Sequence, residues 1–126
     1  MSTGVVLCAC GASGHELLER PLAQMGVRLA RTKDDTLLED VLALQPDVVV
    51  YELRESATPE LGILHLMRRI APDVQLVLVA GDESLDTQRL VRELRPVYYA
   101  VQPVDGEEIV AAVRAALALH ARKAAH

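Results

Sequence analysis

The chain has 126 residues and a mass of 13.7 kDa, which fits one domain and leaves no space for a second catalytic one. Hydrophobic residues make up 51% and charged residues 25%, far from the composition of disordered chains. Eighteen acidic against thirteen basic residues give a formal charge of -5, a field that repels a phosphate backbone, and the absence of Phe and Trp removes base-stacking platforms. Direct nucleic-acid binding is therefore disfavoured and the core must be aliphatic.

The first apolar run is GVVLCAC at 4–10, a strand in which Cys8 and Cys10 point the same way with Cα atoms roughly 6.5–7 Å apart, so both are expected as reduced thiols. Ser13 starts a helix over 13–25, with Glu16 completing an S-x-x-E capping box and Gly26 as the stop. A weaker strand follows at 27–31. Asp34 or Asp35 caps the second helix, where Leu37, Leu38, Val41, Leu42 and Leu44 form a stripe that ends before Pro46. DVVVYEL at 47–53 is the third strand. Thr58 and Pro59 open the third helix, with Leu61, Leu64, Met67 and Ile70 at helical spacing.

VQLVLVA at 74–80 is the fourth strand, and Asp82 or Ser84 opens a fourth helix to Leu94. VYYAV at 97–101 is the fifth strand, and Asp105 starts a last helix to about His120, leaving 121–126 as a frayed end or the start of a linker. None of these runs is long enough to span a bilayer, and Met1–Gly4 carries no basic residue, so a cytoplasmic protein is expected. Strands apolar on both faces, alternating with helices, predict a parallel sheet with helices on either side. At this length a doubly wound five-stranded sheet of order 2-1-3-4-5, a flavodoxin-like three-layer sandwich, is the common solution. Residues 1–126 are expected to form one domain, alone or at the head of a longer protein.

PDVVVYEL (46–53) resembles the third strand of response-regulator receiver (CheY-like) domains, VQLVLVAG (74–81) their fourth strand, and YYAVQPVDGEEIVAAVRAAL (98–117) their fifth strand, lysine-proline turn and last helix. The resemblance implies a phospho-acceptor position at Glu52, an acidic pair at Ala9 and Cys10, a hydroxyl position at Ala80 and a lysine position at Gln102. Receivers hold magnesium and take a phosphoryl group there. A thiol, two methyl groups and an uncharged amide supply neither magnesium's hard oxygen ligands nor the cation that compensates a transferring phosphoryl group. No magnesium or other cofactor is expected, and no enzyme activity. Tyr99 matches the switch aromatic, which lacks its hydroxyl partner at Ala80, and Pro103 matches the turn proline after a cis bond, here Gln102-Pro103. The chain is thus identified as a degenerate receiver acting in bacterial two-component signal transduction as a protein-interaction or dimerisation module.

The resemblance places the interaction face on the fourth helix, fifth strand and last helix, where Arg89, Arg92 and Arg95 form a basic run whose bland reading is a solvated face. The alternative is the face of the first and last helices. There Ile109, Val113, Ala116 and Leu117 face the sheet, and Ala111, Ala112, Ala115 and Ala118 form a second smooth face suited to a copy of the chain or another protein. Glu52 also reads as a mimic of a phosphorylated aspartate, against a partly solvated carboxylate without a role.

Two further readings compete. Cys10 before Gly11-Ala12-Ser13-Gly14 resembles the loop of the cysteine-phosphorylating IIB phosphotransferase subunits, although the C-x5-R pattern fails. A small nucleotide above Gly11 and Gly81 is the other, resting on a short G-x-x-G. His15, His65, His120 and His126 show no metal-ligand spacing and read as surface residues.

Overall fold

A computed structural model of the chain describes residues 4–9, 19–33, 35–53, 58–81, 85–101 and 105–124. The elements are β1 (Val5–Ala9), α1 (Arg20–Ala23), β2 (Arg28–Arg31), α2 (Leu37–Leu44), β3 (Val48–Leu53), α3 (Thr58–Ile70), β4 (Gln75–Ala80), α4 (Leu85–Leu94), β5 (Tyr98–Val101) and α5 (Gly106–Ala124). The strands form one parallel sheet in the order β2-β1-β3-β4-β5. This is the flavodoxin-like arrangement that the alternating pattern predicts.

Strand side chains alternate between two cores, as the period of two requires. Leu7, Val49, Tyr51, Leu76 and Leu78 meet Leu37 and Val41 of α2, Leu64 and Met67 of α3 and Leu94 of α4. Val6, Cys8, Val48, Val50, Val77 and Val79 meet Leu22 of α1 and Ile109, Val113 and Ala116 of α5. Central strands are therefore apolar on both faces, with Glu52 and Gln75 the polar exceptions in β3 and β4, and each fully buried aliphatic side chain contributes about 1.5–3 kcal/mol through removal from water.

Two helices end in the same way. α2 and α4 are followed by Gln45 (φ 47°) and Arg95 (φ 51°) in the left-handed region, each next to a proline that cannot extend the helix. Gly26, at φ 80°, makes the corresponding turn before β2 at no steric cost. The Asp47 N–H then donates to Val5 O at 2.9 Å, and Asp47 Oδ2 accepts the Val5 N–H at 2.8 Å, locking the start of β3 to β1.

The structure corrects several sequence expectations. α2 begins at Leu37 behind Thr36, whose hydroxyl is engaged with Lys33 and Thr32 and makes no capping bond. Asp35 is not the cap, and Asp34 lies outside the described residues. Leu42 and Ile70, placed on buried stripes, are 61% and 42% exposed, because the helices meet the sheet along a narrower line than the apolar stripe. Ala112 is buried in the sheet-facing core, so the second alanine face keeps only Ala111, Ala115 and Ala118 exposed. α5 continues to Ala124, a turn beyond the expected end near His120. The S-x-x-E box at Ser13 and Glu16 lies outside the described residues.

Candidate functional site

In an open sheet of this order, the crevice forms beyond the carboxyl ends of β1 and β3, where the winding reverses. Strand register brings several sequence-predicted positions to that edge. Ala9 pairs with Tyr51, Glu52 with Val79, Leu53 with Ala80, and Ala80 with Val101. With strands about 4.8 Å apart, Ala9, Glu52 and Ala80 share one rim. Ala9 and Ala80 are buried methyl groups in the core shared with α2, α3 and α4. Glu52 is half-buried and, by alternation with Val48 and Val50, lies on the α1/α5 side. The positions that the receiver resemblance assigns to a carboxylate and a hydroxyl are thus closed aliphatic surface. Magnesium requires hard oxygen donors, which methyl groups at Ala9 and Ala80 do not supply. Cys10, Gly11, Gln102 and Pro103, with the expected cis bond, lie outside the described residues.

Tyr99 is partly buried and packs against the same core, paired in register with Leu78. Its neighbour Tyr98 points to the other face, where its hydroxyl donates to Glu108 Oε1 of α5. That hydrogen bond, then desolvation and the Glu108 charge, raise the Tyr98 pKa above its ordinary 10.0. Arg89, Arg92 and Arg95 are exposed, but they are not one helical stripe. Arg95 has left the helix, and its carbonyl accepts from Arg68 Nη2 at 3.0 Å.

Two arrangements were not predicted from the sequence. Arg68 of α3 donates through Nε to Leu94 O at 3.0 Å, through Nη1 to Val74 O at 2.6 Å and through Nη2 to Arg95 O. It ties the end of α4 to α3 and to the approach to β4, and burial lowers its pKa from the ordinary arginine value. At the opposite end of the sheet from the crevice, His120 of α5 is partly exposed, as a surface residue would be, but it is engaged. Its Nε2 lies 3.0 Å from Asp47 Oδ1 and its Nδ1 lies 3.2 Å from Asp73 O, beside a cleft of about 480 Å³ walled by Leu42, Pro46, Ile70 and Pro72. His65 pairs with Glu93 at 3.2 Å. A larger groove of about 870 Å³ runs between α1 and α5, lined by Arg20, Met25, Asp105, Glu107, Val110 and Arg114 among others.

No protein-family model and no curated protein sequence matches the chain. Solved structures do. A CheY-like receiver domain from Methanospirillum hungatei superposes with a TM-score of 0.85 over 97% of this chain and 99% of that one, at 12% identity. The signal receiver domain of a modulated diguanylate cyclase from Desulfovibrio desulfuricans gives 0.82 over 97% and 99%, at 13% identity. NtrX from Brucella abortus gives 0.81 over 98% of this chain and 28% of that one, at 14% identity. The chain has the fold of response-regulator receiver domains. No helix among the described residues is long and apolar enough to cross a membrane.

Proposed function

We propose that the chain is a pseudo-receiver: a cytoplasmic, non-enzymatic module of response-regulator signalling that works by binding a protein partner or a second copy, without phosphorylation. The observation that carries this reading is the pair of buried methyl groups, Ala9 and Ala80, on the rim where a receiver of this fold would need a carboxylate and a hydroxyl. Methyl groups at Ala9 and Ala80 supply neither a metal ligand nor a hydroxyl for a transferring phosphoryl group, and such electrostatic effects are usually the largest part of the catalysis. Neither magnesium nor nucleic acid enters the mechanism. Output is set by surface presentation, through α4, β5 and α5 with their exposed arginines or through the α1/α5 groove.

The test is intact-mass spectrometry after incubation with acetyl phosphate and magnesium. No mass gain is the expected result. A phosphoryl adduct abolished by Glu52→Gln overturns the proposal in favour of an active receiver. One abolished by Cys10→Ser overturns it in favour of a phosphocysteine carrier.

A further inference from the structure

Acidic residues outnumber basic ones by eighteen to thirteen, yet arginines gather where α3 and α4 end side by side. Arg68 joins the two ends, donating from α3 to Leu94 O and to Arg95 O at 3.0 Å each. About one turn back, His65 of α3 lies 3.2 Å from Glu93 of α4, a second tie between the same helices. Around these ties Arg69 of α3, Arg89 and Arg92 of α4, and Arg95 just past the end of α4 are all exposed.

These four guanidinium groups are left unpaired. Glu93 is the neighbour of Arg92 and stands one turn after Arg89, but His65 engages its carboxylate. None of the four side chains makes a hydrogen bond or an ion pair among the described residues. The helix dipoles account for Arg69 and Arg92, in the last turns of α3 and α4, but not for Arg89 a turn earlier, and like charges held this close repel one another. The cluster therefore costs the fold something and returns nothing to it. Packed helix axes lie about 8–10 Å apart, so with Arg69 and Arg92 level at the helix ends the charges fall within about 15 Å of one another. That is the span of four or five extended residues at about 3.3 Å each.

We propose that this patch on α3 and α4 docks a short carboxylate-rich segment of a partner protein. Each guanidinium offers a fork of N–H donors that matches a carboxylate, and the two ties between the helices fix the spacing of the forks before the partner arrives. The charge of the whole chain selects the class of partner. At a net charge of -5, a nucleic acid or an anionic bilayer that extends past the patch meets repulsion. A short segment stays within about 8 Å of the arginines, one screening length at physiological salt, and meets their attraction alone. The inference rests on the interaction-module reading and names the partner's chemistry. Its test reads peptide binding rather than phosphorylation, so the two fail separately.

Fluorescence anisotropy of a labelled ten-residue glutamate peptide, titrated with the full chain at low salt, decides it. The wild type is expected to bind, with affinity falling as salt rises. Arg89→Glu or Arg92→Glu is expected to weaken binding about threefold or more, and Arg69→Glu combined with Arg89→Glu about tenfold or more. Arg28→Glu alters the net charge as much as either single reversal but lies on β2, at the other edge of the sheet, and is expected to stay within about twofold of wild type. Unchanged far-UV circular dichroism and melting temperature show that the variants fold. A wild type that does not bind the peptide, or an equal loss in Arg28→Glu and Arg89→Glu, would overturn the proposal. So would a long DNA duplex or a phosphatidylserine vesicle that binds as tightly as the peptide and is released by the same reversals.

Discussion

Arg68 offers the sharpest test of how α4 is held. Arg68→Ala removes three hydrogen bonds, two of them to carbonyls of buried residues: Leu94 O at 3.0 Å and Val74 O at 2.6 Å. The third acceptor, Arg95 O, is exposed, and water replaces the guanidinium there. A buried carbonyl left without its donor costs roughly 1–3 kcal/mol, so the two together cost about 3 kcal/mol after partial rehydration. The lost cation also stood at the negative end of the α4 dipole, worth about 0.5 kcal/mol more. Arg68→Lys supplies one ammonium instead of a fork and recovers roughly half. Urea denaturation followed by circular dichroism measures the change as a lower midpoint at constant slope. The exposed neighbour Arg69 gives the control, with Arg69→Ala within about 0.5 kcal/mol of wild type. If Arg68→Ala and Arg69→Ala have equal effects, the clamp contributes nothing and the reasoning is wrong.

Asp47→Ala removes the acceptor for Val5 N–H at 2.8 Å and the partner of His120 at 3.0 Å, and is expected to cost about 2 kcal/mol by denaturant titration. His120→Ala in that background should cost less than in the wild type, because the two side chains share one interaction. Leu78→Ala, at a fully buried position of β4, is expected to lose about 3 kcal/mol by the same titration. Glu108→Gln should bring the Tyr98 phenol down toward its ordinary 10.0, read as ultraviolet absorbance of the phenolate. Because the folded pKa is raised, the stabilisation from this pair is fully present below pH 10 and lost as pH rises through the folded value.

Strand positions were legible because each strand is a short apolar run. The observed β1, β3, β4 and β5 fall inside the predicted 4–10, 47–53, 74–80 and 97–101. Helix positions were legible from proline and leucine spacing, and so were the starts of α3 at Thr58 and of α5 behind Asp105, whose Oδ1 accepts the Glu107 N–H; the start of α2 was not, since it follows Thr36, whose hydroxyl bonds Lys33 and Thr32 and makes no capping bond. At the candidate site, Ala9, Glu52 and Ala80 reach one rim as the pattern implied. The engagement of His120 was not legible because its two partners, Asp47 and Asp73, lie in the turns before β3 and β4, far from it in sequence.

Local composition alone settled the layered architecture: runs apolar at every residue can only be strands covered on both sides, and each helix needs no more than its own dozen residues to declare a periodicity. Tertiary structure alone decided which apolar residues stay wet and which polar ones are enclosed. Arg68 reaches a carbonyl 26 positions away and His120 one 47 positions away, separations at which no local pattern survives. Leu42 and Ile70 remain exposed because three parallel helices fill the width of one sheet face and leave no further surface to cover them.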